Sequence, residues 1–139
     1  MADRTYIEVS SEQGARFFET PGDGPVVMLN LLRFRQRAQY AHAPQLEPKG
    51  GVTGAEAYAL YVAGIEPLLE ASGGRLLFQG TASHFLIGPA DEHWDAVLLV
   101  EQASKESFLA FASDPEAQRI TAHRTAAVED SRLLPVTPT

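Results

Sequence analysis

The chain has 139 residues, 45% hydrophobic and 21% charged, with a net charge of -7 and a pI near 5.0. Those values fit one globular domain spanning 1–139. They argue against nucleic acid or an anionic membrane as the main partner, because both demand a basic surface. The absence of cysteine excludes disulfides, thiolate nucleophiles and cysteine-ligated metals. The first residues lack the apolar core of a signal peptide, and no apolar run approaches the roughly 18 residues of a membrane span. A cytoplasmic protein is the expectation.

Residues 1–24 read as an N-terminal helix and turn. Ser10 or Ser11 can cap a helix lying within Ile7 to Thr20, and Phe17 and Phe18 give it an apolar edge. Pro21-Gly-Asp-Gly-Pro25 stops it. The apolar run Pro25 to Phe34 reads as a central strand. Residues 35–52 show neither a helical nor a strand period. A loop this long is often a lid or a binding loop when it is ordered.

Thr53-Gly-Ala-Glu56 has the form of a capping box. The helix behind it should run to Ser72, with Tyr58, Tyr61, Ile65, Leu68 and Leu69 on one face and a kink before Pro67. Arg75 to Gly88 reads as a long strand with a bulge at Gly80, and Trp94 to Glu101 as the next. Ser104 caps a helix. Asp114-Pro115-Glu116 starts another, with cap, proline and acid in the favoured order. Ala127 to Leu134 closes the chain as a strand that Pro135 and Pro138 end, placed best at a sheet edge or a dimer seam. The order is β-α-β-β-α-β with an extra N-terminal helix, the ferredoxin-like arrangement of the α+β class.

Strand alternation divides the faces. In the first strand Val27, Leu29 and Leu31 share one face, and Met28, Asn30 and Leu32 the other. In the third, Trp94, Ala96, Leu98 and Val100 oppose Asp95, Val97, Leu99 and Glu101. The wholly apolar face of each is expected under the helices. The other would expose an apolar patch large enough to mark an interface. Two such sheets packed face to face make a dimeric α+β barrel, with Asn30 and Glu101 near its interior.

Val27-Met-Leu-Asn-Leu-Leu-Arg-Phe34, the helix with Tyr58 and Tyr61, Gly73-Gly-Arg-Leu-Leu77, Trp94-Asp-Ala-Val-Leu-Leu-Val-Glu101 and His123-Arg-Thr-Ala-Ala-Val-Glu-Asp-Ser-Arg132 together resemble the family known as domain of unknown function 1330. The resemblance runs from Pro25 to Leu134. It implies a homodimeric barrel of ferredoxin-like protomers and no established reaction. More distant relatives of that fold include cofactor-free monooxygenases of the antibiotic-biosynthesis type, muconolactone-type isomerases and haem-degrading enzymes, and fold alone does not fix function.

The chemistry this chain could carry needs neither cofactor nor metal. Asn30, Glu101 and His123 are the catalytic candidates: Asn30 to polarise a carbonyl, Glu101 or His123 to move a proton. Arg124, Tyr58, Tyr61, Arg33 and Arg132 are the substrate-binding candidates, the arginines as carboxylate holders. Each has a plainer reading. Asn30 would bond to nearby backbone, Glu101 would pair with an arginine, and His123 and Arg124 would favour a helix C-terminus. Tyr58 and Tyr61 would pack at the core edge. Asp130 and Arg132 would form a cross-strand ion pair. His42 and His93 are expected solvated in loops, and His84 at the core edge. The expected function is a small-molecule enzyme, an isomerase or cofactor-free oxygenase acting on a small carbonyl or carboxylate compound. The alternative is a non-catalytic ligand-binding dimer.

Overall fold

The computed structural model describes residues 4–139; the first three residues of the N-terminal region lie outside the described residues. Helix α1 spans Ser11–Glu19 and strand β1 Val26–Phe34. They are followed by α2 Gly54–Ala71, β2 Arg75–Thr81, β3 Ala96–Gln102, α3 Lys105–Ser113, α4 Pro115–Ala127 and β4 Val128–Val136. The strands form one antiparallel sheet in the order β2-β3-β1-β4, which is the ferredoxin-like topology.

The local signals explain the starts. Ser10 accepts a hydrogen bond from the Gln13 N–H, and Thr53 and Glu56 close the predicted capping box in both directions. Ser104 caps α3, and Asp114 accepts from the N–H groups of Glu116 and Ala117 behind Pro115. Helix α2 runs unbroken through Pro67.

Helices α2 and α4 cover one face of the sheet. Ala57 and Tyr58 from α2, and Ala126 and Ala127 from α4, close over Leu32, Ala96 and Leu98. The two helices then pack through Ile65, Ala117 and Ile120. They come close enough that a Cβ on Gly64 would lie 3.0 Å from Ile120 Cγ2. Leu32 is completely buried, a gain of about 1.5–3 kcal/mol by apolar transfer.

The face assignment of β1 is the main correction. Leu32 pairs with Ala96, Asn30 with Leu98 and Met28 with Val100, and paired residues of an antiparallel ladder share a face. Met28, Asn30 and Leu32 therefore lie under the helices, while Val27, Leu29 and Leu31 lie on the open face with Val97, Leu99 and Glu101. Asn30 and Glu101 point to opposite sides of the sheet and cannot act together. Trp94 also departs from alternation. The chain bends at Asp95 before β3 starts, and Trp94 turns to the open face between two arginines.

Three boundaries move as well. Strand β2 ends at Thr81, and the chain beyond it is an irregular hairpin held by an isolated bridge between His84 and His93. The bulge lies between Leu76 and Phe78, not at Gly80. Pro135 sits inside β4 opposite Met28, which is possible because β4 is an edge strand and needs no outward N–H donor there.

Residues 35–52 are ordered. The Ala38 N–H donates to Val52 O, the Gln39 N–H to Ala126 O and the Arg35 N–H to Ala127 O. One short 3-10 turn at Pro44–Leu46 breaks the loop, and Tyr40 is buried from it into the core.

Candidate functional site

The predicted site residues fall into three separate places. Asn30 donates from Nδ2 to Met28 O at 3.2 Å on its own strand. Glu101 accepts from Arg75 Nε at 3.0 Å on the open face. Both follow their plainer readings. On the helix side, the Tyr58 and Tyr61 rings lie 5.2 Å apart, tilted by 52°, and neither hydroxyl is hydrogen-bonded among the described residues. Burial pushes both hydroxyls above the usual tyrosine range, and the Arg124 guanidinium partly opposes the shift. Arg124 donates to Ile7 O at 2.7 Å and to Ser131 Oγ at 3.2 Å, tying the N-terminal segment to β4. Arg124 is thus committed to protein partners, and the two tyrosine rings pack in and against the core with their hydroxyls unpaired among the described residues.

His123 is also committed. Its Nδ1 lies 2.6 Å from the Tyr40 hydroxyl, and His42 stacks on Tyr40 while its Nε2 reaches Ala122 O at 3.0 Å. The pair clasps the long loop to α4. Burial, and then the charge of Arg119, hold His123 below its ordinary 6.5. The neutral ring is thus favoured in the folded state, and its contribution to stability is complete above the unfolded value. As pH falls below 6.5 the unfolded chain takes up the proton first, so stability drops towards the lower folded value. Urea midpoints measured between pH 7.5 and 5.5 should fall for the wild type, with a shallower fall in His123→Gln.

The third place was only partly legible. On the open face near the end of β1, Asp130 is 3% exposed and gathers four donors. Its Oδ1 accepts from the N–H groups of Tyr6 at 2.8 Å and Ser131 at 2.9 Å, and from Arg132 Nη1 at 2.7 Å. Its Oδ2 takes Arg33 Nη1 at 3.5 Å. The ion pair with Arg132 is thus within β4, two residues apart, and the cross-strand partner is Arg33. Both guanidiniums lie over the Trp94 ring, at 4.9 and 5.0 Å from its centre, a cation–π arrangement on a buried indole. Arg33 is fixed further by Nε and Nη2 donating to His93 O at 3.3 and 3.1 Å.

This braced cluster is one wall of a cleft of about 510 Å³, lined by Arg33, Phe34, Arg35, His93, Asp95 and Glu129 together with Gln36. Asp95 is held by accepting the Phe34 N–H at 2.7 Å. The Arg35 backbone is pinned at both ends, since its N–H donates to Ala127 O at 2.8 Å and its carbonyl accepts the Gly54 N–H at 3.1 Å. Arg35 Nε, by contrast, is buried with no hydrogen-bond partner among the described residues. A buried guanidinium N–H without an acceptor is costly, and a carboxylate is the acceptor that suits it best.

Of the predicted residues only Arg33 lines this cleft. Arg35, His93, Asp95 and Glu129 were missed as site residues. The signal available was the pair of arginines flanking Phe34 at the end of the apolar run, Arg33 inside β1 and Arg35 just beyond it. His84 is exposed and bonded to Ser83 Oγ, not at the core edge, and His93 is half-buried. Among the described residues no group of three His, Asp or Glu side chains is gathered as a metal would require. No helix among them is long and apolar enough to cross a membrane.

Residues 49–136 match the family model described as Domain of unknown function (DUF1330). A protein of unknown function from Rhodopseudomonas palustris is 40% identical, with a TM-score of 0.86 over 98% of both chains. Its methylated form is 41% identical, with a TM-score of 0.86 over 97% of this chain and 96% of that one. A DABB-family protein with a ferredoxin-like fold from Mesorhizobium loti aligns with 84% of this chain and 98% of its own, at 10% identity and a TM-score of 0.48. No curated protein matches.

Proposed function

The chain belongs to the family described as Domain of unknown function (DUF1330), and from that premise we propose that it is a homodimeric small-molecule enzyme acting on a small carboxylate or carbonyl compound in the Arg33–Arg35 cleft. The observation that carries this reading is the cleft itself, lined by two arginines, Arg33 braced by Asp130 and His93 O and Arg35 with a buried Nε that has no partner among the described residues. Arg35 holds the substrate carboxylate. Arg33, held by Asp130 and His93 O, shapes the wall and adds positive charge. His93 is the imidazole of the lining, a group able to give and take a proton, and Glu129 is a carboxylate of the same lining. A polar cleft with acid and base groups favours proton transfer next to a carbonyl, an isomerisation, over oxygenation.

The dimer reading rests on area. The chain exposes 8664 Å², whereas a compact monomer of 15.1 kDa exposes about 7,100 Å². The excess exceeds the roughly 800 Å² per partner of a standard interface. Much of it is apolar and lies on the open sheet face, where Phe78, Leu134 and Val136 are exposed beside Val97 and Leu99.

Titration calorimetry against a panel of small mono- and dicarboxylates tests the site. A member of the panel should bind, Arg35→Gln should weaken it at least tenfold, and His93→Gln should retain binding while losing turnover followed by NMR. Equal affinity in Arg35→Gln would remove the cleft from consideration. Binding without turnover in the wild type would make the protein a ligand-binding dimer.

A further inference from the structure

Two apolar features of this chain are unmatched within it. One projects and the other is concave. The projecting feature is the tip of the β2–β3 hairpin, where Leu86 is 102% and Ile87 92% exposed. The tip is not slack. Trp94 N–H donates to Ser83 O at 2.9 Å and Ala82 N–H to Asp95 O at 3.0 Å, and His84 bridges to His93. Phe85 folds back on Gly88, whose φ of +153° suits glycine, and any Cβ there would lie 2.7 Å from Phe85 Cγ. Phe85 packs on Gly88 while staying 40% exposed, and Leu86 and Ile87 stand out on the turn. Such a preorganised anchor loses little entropy when it docks.

The concave feature is a groove of about 260 Å³ at the opposite end of the sheet. Phe17, Pro21, Pro25, Val26 and Pro135 line it, and Lys105 at its edge is already tied to Phe17 O. The hairpin leaves the sheet where β1 ends and β3 begins, since Leu32 pairs with Ala96. The groove lies where β1 begins and β4 ends. Nine strand residues span about 30 Å, so the hairpin cannot reach the groove of its own chain.

We infer that Leu86 and Ile87 of each protomer dock in the Phe17–Pro25–Pro135 groove of a second copy of this chain. The inference rests on the face-to-face dimer proposed above and sets its symmetry axis. A two-fold axis running across the strands brings each hairpin tip to the partner's groove. The contact is then made twice and closes, so it gives a dimer and not a fibre. The excess exposed area is sufficient to include it.

The test uses the full chain, which has no native cysteine. Leu86→Glu/Ile87→Glu should weaken self-association at least tenfold by sedimentation. Gly24→Leu should do the same from the other side, because a Cβ at Gly24 meets nothing within 4 Å and the added side chain can fold into the groove. Ile87→Cys/Thr137→Cys, with one thiol on the tip and one in the groove, should give a covalent dimer on oxidation, while Ile87→Cys/Glu106→Cys should not. Wild-type association in both the tip and groove variants, with no cross-link, overturns the docking while leaving the sheet-face dimer intact. A wild-type chain that stays monomeric at all concentrations, or a Leu99→Lys variant that still dimerises, overturns the sheet-face reading itself. Vesicle binding through the tip in place of self-association overturns the docking too.

Discussion

Gly54→Ala should be the most damaging single methyl that can be added to this protein. A Cβ at Gly54 would lie 2.2 Å from Arg35 O, 2.7 Å from Ala127 O and 2.8 Å from Arg35 N. All three are backbone atoms, so no side chain can swing away. The end of β1, the start of α2 and the end of α4 meet at this one point, and one of them must move. Overpacking of this kind costs about 3 kcal/mol or more, which for a domain of this size lowers Tm by roughly 12 °C. The same displacement moves the Arg35 backbone, so ligand affinity in the cleft should fall together with stability. Gly24→Ala is the control, because its Cβ enters open space. Thermal melts of the two variants decide it; a Gly54→Ala protein melting with the wild type would mean the three segments do not meet this closely.

The second large effect is expected from Asp130→Asn. The substitution preserves shape but leaves Arg33 and Arg132 without the carboxylate that both of them share. Removing one partner from a buried pair costs about 3–5 kcal/mol. The arginine side chains here keep 22% and 34% exposure, so solvent screens part of that and about 2–3 kcal/mol is the expected loss. The two guanidiniums on Trp94 would also repel each other, which salt should relieve. Urea unfolding at low and high salt checks this: the deficit should shrink as salt rises. Glu101→Gln is the contrast. Its pair with Arg75 is two-thirds exposed on the arginine side and should be worth under about 1 kcal/mol. Equal losses in the two variants would mean that Asp130 is not the brace of the cleft wall.

The elements were largely readable because their signals are local. A capping box at Thr53, proline after Asp114 and an apolar run at Val26–Phe34 act through neighbouring residues, and each lies where the sequence puts it. The β2–β3 hairpin was harder. Arg75 to Gly88 carries strand-forming residues past Thr81, but a strand continues only while its partner does, and Asp95 bends the partner away.

The candidate site was less legible than the fold. Asn30 and Glu101 drew attention as polar residues in apolar strands, and a short backbone bond and an exposed ion pair account for them. His123 proved to be a fastener for the long loop. Arg35 looked like an ordinary loop residue, and Trp94 like a core residue. Their roles depend on partners far along the chain. Gly54 and Ala127 pin Arg35, while Arg33 and Arg132 hold Trp94.

By itself, then, the sequence determined the element order, the helix starts and the ferredoxin-like class, because period and capping act over a few residues. Only the tertiary structure decided which face of β1 lies under the helices. Both faces carry three residues of similar hydrophobicity except for Asn30, so alternation alone had no means to choose. The register of β1 against β3 chose, by pairing Leu32 with Ala96. That one choice separated Asn30 from Glu101 and turned Arg33 to the open side, where Arg35, His93, Asp95 and Glu129 complete the cleft.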